Sequence, residues 1–119
     1  MSALQHVSLE VRRSSVEACM AFYAILGFEP VDPPPSLAER ASWMQGGATQ
    51  IHLMYVEEPM TLPQGHVAVV VDGYDQVLAA LAAAGHGAEP RREHWGSPRA
   101  YVHDPAGNLV ELMAFPPAG

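Results

Sequence analysis

Read from its first strand, the sequence passes through one order of elements and then begins that order again. Gln5-His6-Val7-Ser8-Leu9-Glu10-Val11 alternates apolar and polar side chains as a half-buried strand does. Ser14 and Glu17 are spaced for a capping box, and Val16, Cys19, Phe22, Tyr23 and Leu26 form a helical stripe that Gly27 can end in a left-handed turn. Strands are expected over 28–31, 41–45 and 50–56, with Pro33-Pro34-Pro35 as loop. The second pass has a strand at 65–71, a helix at 74–84 closed by Gly85, and strands at 88–92, 99–103 and 109–115. His6 lies 46 residues before His52 and His66 lies 45 before Glu111, so the two passes keep nearly the same internal spacing. Ile51-His52-Leu53-Met54 also matches Val110-Glu111-Leu112-Met113 by residue type. The chain is therefore expected to be one α+β domain over 1–119. It is built from two βαβββ modules, halves 1–57 and 65–119, that form a cup-shaped mixed sheet.

Strand alternation sorts the side chains by face. Val7, Leu9 and Val11 oppose His6; Ile51, Leu53 and Tyr55 oppose His52; Val67, Val69 and Val71 oppose His66; Val110, Leu112 and Ala114 oppose Glu111. A helix in each half covers the apolar face, which leaves three imidazoles and one carboxylate on the other. Singly, each reads as solvated surface. At equivalent positions of a repeat, they read as ligands converging on one ion. Imidazole and carboxylate together suit Zn, Ni, Co, Mn or Fe(II).

Charge limits the partners. The formal net charge is −7, and six arginines with no lysine supply all the fixed positive charge. A nucleic-acid or anionic-membrane partner is not expected, and a small molecule is. Cys19 is the only cysteine, which rules out a disulfide within one chain, and its place in the apolar stripe reads as a buried thiol. The N-terminus shows no basic and apolar leader and no run is long enough to span a bilayer, so a cytoplasmic location is expected.

On these motifs the chain resembles the vicinal oxygen chelate superfamily of glyoxalases, bleomycin-resistance proteins and extradiol dioxygenases. The resemblance rests on His6-Val7-Ser8-Leu9-Glu10-Val11 leading to Phe22-Tyr23 and Leu26-Gly27-Phe28, on Gly65-His66-Val67-Ala68-Val69, and on Asp104-Pro105-Ala106-Gly107-Asn108-Leu109-Val110-Glu111-Leu112. It implies that His6, His66 and Glu111 are metal ligands. His52 falls where bacterial-type glyoxalase I enzymes carry a ligand glutamate, so it ligates the metal or contacts substrate. The implied activity is a metal-dependent lyase or isomerase that chelates a small substrate through vicinal oxygens, with Glu111 and His52 catalytic and no nucleotide cofactor. Trp43, Trp95, Tyr101 and Arg99 are expected to contact substrate, Arg99 as a clamp for a carboxylate or phosphate. Relatives imply three alternatives: antibiotic sequestration without metal, thiol transfer to fosfomycin, and extradiol ring cleavage. A homodimer is expected.

Overall fold

The computed structural model describes residues 1–118, which fall into two compact units, 1–61 and 62 onward. The division lies inside the proline-containing linker expected between the halves. Among the described residues no helix is long and apolar enough to cross a membrane.

The first unit contains β1 (His6–Val11), α1 (Val16–Ile25), β2 (Glu29–Val31), β3 (Ala41–Gly46) and β4 (Thr49–Tyr55). Its sheet has the order β1-β4-β3-β2, with β1 parallel to β4 and the other pairs antiparallel. Parallel pairing of the first and last strands requires a long connection, which α1 and the β2–β3 meander provide. Val11, Met44, Ile51 and Leu53 are buried on one face, and Cys19, Phe22 and Tyr23 of α1 are buried with them. Burying a side chain of that size stabilises by about 1.5–3 kcal/mol, which fixes which face of the sheet the helix covers. The helix ends as expected: Gly27 has φ +103°, and the Phe28 amide donates to the Tyr23 carbonyl at 3.0 Å. Its start does not follow the expected capping box. Arg13–Ser15 winds a short 3-10 turn, Ser15 rather than Ser14 becomes the cap, and no side chain caps the amides. The tighter turn satisfies the first amides through the backbone instead.

The second unit repeats the plan with β5 (Val67–Val70), α2 (Tyr74–Ala83), β6 (Glu89–Arg91), β7 (Arg99–His103) and β8 (Leu109–Met113). Its order is β5-β8-β7-β6, with β5 parallel to β8. Ala100, Val102, Val110 and Leu112 are buried on one face, and Leu81 of α2 is fully buried. Register places Tyr101 opposite Glu111 and Arg99 opposite Met113 on the other. The turn into β8 is built by Asp104. One carboxylate oxygen accepts the Ala106 and Asn108 amides at 2.9 Å, and the other accepts the Asn108 side chain at 3.0 Å. Met113 at the end of β8 is 8% exposed, so that strand is buried along most of its length.

Candidate functional site

Each unit gathers two of the four expected donors on the sheet face away from its core. In the first unit, parallel register sets Ser8 beside His52, and antiparallel register sets Trp43 directly opposite it. The His52 ring is consequently sandwiched. The Trp43 indole stacks on one side at 3.9 Å and 1°, and the His6 ring on the other at 4.0 Å and 15°. This packing leaves His52 only 5% exposed although it lies on the polar face. Burial first, and then the neighbouring His6, hold its pKa below the ordinary histidine value, because both disfavour the charged ring.

The His52 tautomer follows from a chain of hydrogen bonds. The Gly47 carbonyl can only accept, so the Gln45 side chain presents its NH2 there at 2.8 Å. Gln45 Oε1 then accepts from Gln50 Nε2 at 2.9 Å, which leaves Gln50 Oε1 to accept from His52 Nε2 at 2.8 Å. His52 therefore carries its proton on Nε2 and a lone pair on Nδ1. His6 Nδ1 lies 2.6 Å from Gln5 Oε1, which likewise leaves Nε2 with the lone pair. An amide oxygen fixing the far nitrogen of an imidazole is the usual arrangement behind a metal-bound histidine.

In the second unit the Gln64 carbonyl fixes His66 in the same way, accepting from Nδ1 at 2.7 Å. His66 Nε2 then faces Glu111 Oε1 at 3.0 Å. With Nδ1 committed as a donor, a neutral His66 presents a lone pair to a carboxylate lone pair. Two acceptors at that distance require a cation between or beside them, either a proton or a metal ion. Glu111 is held as a carboxylate. Burial alone would raise its pKa, but hydrogen bonds from Arg99 and His66 and their charges outweigh burial and leave it below the ordinary value.

The residues expected to contact substrate are divided between the units. Trp43 packs on His52 as described. Arg99 is committed to its own chain: Nε donates to Glu111 Oε2 at 2.8 Å, Nη1 to the Arg92 carbonyl at 2.8 Å and Nη2 to the Tyr101 hydroxyl at 3.2 Å. Tyr101 lies against the His66 ring at 5.2 Å. The Trp95 indole N–H donates to the Phe115 carbonyl at 2.8 Å, which ties its loop to the chain beyond β8. Among the described residues no three His, Cys, Asp or Glu side chains gather closely enough to hold a metal. The glutamine relay was not anticipated, although Gln50 and His52 stand two residues apart on one strand and so share a face.

Two four-stranded mixed sheets, each with one helix and the same strand order, leave a narrow choice of family, and the sequence match decides it. Residues 3–112 match the model of the Glyoxalase/Bleomycin resistance protein/Dioxygenase superfamily. The chain belongs to that superfamily. A glyoxalase-superfamily structure from Bacillus anthracis superposes with a TM-score of 0.85 at 26% identity, covering 95% of this chain and 94% of that one. The fosfomycin resistance protein FosX from Listeria monocytogenes, in a complex with Mn(II) and a dihydroxypropylphosphonic acid, shares the fold at TM-score 0.77 and 21% identity, over 98% of this chain and 92% of that one. Glyoxylase I 4 of Arabidopsis thaliana is 40% identical over 65 residues, 54% of this chain. The chain spans about a third of that relative's length, since the match covers 36% of it.

Proposed function

We propose that this superfamily member is a metal-dependent enzyme, a lyase or isomerase acting on a small substrate held through neighbouring oxygens, with His6, His52, His66 and Glu111 as the metal donors. The observation that carries this reading is the pair formed by His66 Nε2 and Glu111 Oε1. They are 3.0 Å apart, and with Nδ1 held by the Gln64 carbonyl it is Nε2 that meets the carboxylate and can take up a cation there. Metal–ligand bonds of about 2.0–2.2 Å set neighbouring ligands at about that separation. The donor chemistry fits a divalent ion: three imidazoles, each with one nitrogen fixed by an amide oxygen, and one carboxylate. The Mn(II) in the FosX structure supports the same reading.

A bound ion would supply Lewis-acid polarisation of the substrate oxygens. The protein's own groups supply the rest. Glu111 can hold a substrate proton at Oε1, and His52 can do so at Nδ1 where it contacts the substrate in place of the ion. Arg99 fixes the Glu111 carboxylate through Oε2, so that Oε1 keeps its direction. Trp43 excludes water from one face of His52.

Elemental analysis of the purified protein is the direct test. About one equivalent of a divalent transition metal is expected, with turnover on one of a panel of diketones, hydroxyacyl thioesters, fosfomycin and the methylglyoxal–glutathione adduct. Glu111→Gln and His66→Asn should each lower metal affinity by roughly 100-fold or more. Less than about a tenth of an equivalent after supplementation with Zn, Ni, Co, Mn and Fe(II) would overturn the metal reading and favour sequestration of an antibiotic.

A further inference from the structure

The arginines of this acidic chain are not spread evenly. Arg91, Arg92 and Arg99, half of the fixed positive charge, line one cavity of about 690 Å³ in the second unit together with His66, His94 and His103. No aspartate or glutamate lines it. The register between β6 and β7 sets Arg91 directly opposite Arg99. Like charges directly opposed across a sheet destabilise it, and this chain places them there with no lysine or arginine to spare. Both guanidinium groups lie over the Tyr101 ring, at 4.8 Å and 5.2 Å. The ring therefore holds two cationic forks at one edge of the cavity.

Their compensation is unequal. Arg99 is neutralised by Glu111 at 2.8 Å. Arg91 has only Glu89 at 3.8 Å, both exposed, an arrangement worth little in water. The Arg92 side chain has no hydrogen-bond or ion-pair partner among the described residues. The cavity thus carries more positive than negative charge in a chain of net charge −7. A planar fork fixed over an aromatic ring suits a carboxylate or phosphoryl group, which accepts two parallel hydrogen bonds.

We infer that this cavity binds the oxyanionic end of the substrate, a carboxylate or phosphoryl group, with Arg91 and Arg92 as its recognition residues. The inference rests on the proposed function only in assigning the anion to the substrate whose reacting oxygens lie toward His66. The recognition site itself needs no metal.

The test is a titration of the chelator-treated 119-residue chain with inorganic phosphate, malonate and chloride at constant ionic strength, followed by backbone amide NMR. Saturable shifts centred on 89–94 and 99–103 with phosphate or malonate, and none with chloride, are expected. The ion that saturates at lower concentration distinguishes phosphoryl from carboxylate recognition. Arg91→Gln with Arg92→Gln should weaken that binding roughly tenfold or more while far-UV circular dichroism stays unchanged. Shifts that stay linear and scattered, that are equal for chloride, or that persist in the double variant would overturn the inference. Metal content measured on protein supplemented with Zn, Ni, Co, Mn and Fe(II), with no chelator, keeps the two proposals separate. Phosphate saturation without metal uptake defeats the proposed function and leaves this site standing, and metal uptake without saturation does the reverse.

Discussion

The two oxygens of Glu111 serve two different partners, and this sharing sets what substitution should do. One oxygen faces His66 and the other takes the Arg99 Nε–H at 2.8 Å, in side chains only 9% and 10% exposed. Arg99→Met leaves that oxygen without its donor, and the expected cost is about 2–3 kcal/mol in urea unfolding. In metal-free protein the depressed Glu111 pKa also stabilises the fold above the unfolded value near 4.3. That contribution is lost as pH falls through the lower folded value, because the unfolded chain binds the proton first. Acid titration of metal-free Glu111→Gln by circular dichroism should therefore show a shallower loss of stability below about pH 4 than the parent protein. On the first unit's face, Trp43→Ala removes one side of the His52 sandwich. The expected results are an exposed imidazole, a His52 titration in the NMR spectrum moved up toward the ordinary value, and a loss of about 1–3 kcal/mol.

Among the elements, the turn between β7 and β8 determines where Glu111 stands. Asp104 is 3% exposed and accepts three hydrogen bonds from the turn it caps. Asp104→Ala leaves two backbone amides and the Asn108 side chain without that acceptor. It is expected to destabilise by about 2–4 kcal/mol, and Asp104→Asn should recover part of the loss. Hydrogen exchange at 109–113 would show whether the damage spreads into β8. The β3–β4 hairpin has a steric counterpart. A methyl group on Gly46 would lie 2.6 Å from the Phe28 ring, so Gly46→Ala should lower the melting temperature by several degrees, roughly 4–8 °C per kcal/mol for a chain this small.

For the whole molecule, the repeated plan is the fact that matters. Each unit has its own four-stranded sheet, its own buried core and two of the four donors. Closed two-fold pairing is the commonest way for a chain to assemble. A homodimer is the expected state. Sedimentation equilibrium at micromolar concentration should return the mass of two chains, and a single-chain mass would count against it.

Much of this was already written in the order of residue types. Alternation in Val7-Ser8-Leu9-Glu10-Val11 and in Leu109-Val110-Glu111-Leu112-Met113 settled which faces are apolar, because a period of two follows from strand geometry alone. Gly27 and Gly85 marked the helix ends, because a left-handed residue costs glycine little, and both have positive φ. The duplicated spacing settled the two-unit plan. Cross-strand register lay beyond reach, because it depends on which strands meet and by how many residues they are offset. Register alone put Trp43 on His52, Tyr101 opposite Glu111, and Arg91 opposite Arg99. It set Arg99 beside Glu111, and the fold brought Arg91 and Arg92 to the wall of the same cationic cavity. Local chemistry is carried by each residue and its near neighbours along the chain, whereas the meeting of distant side chains is a property of the packed sheet.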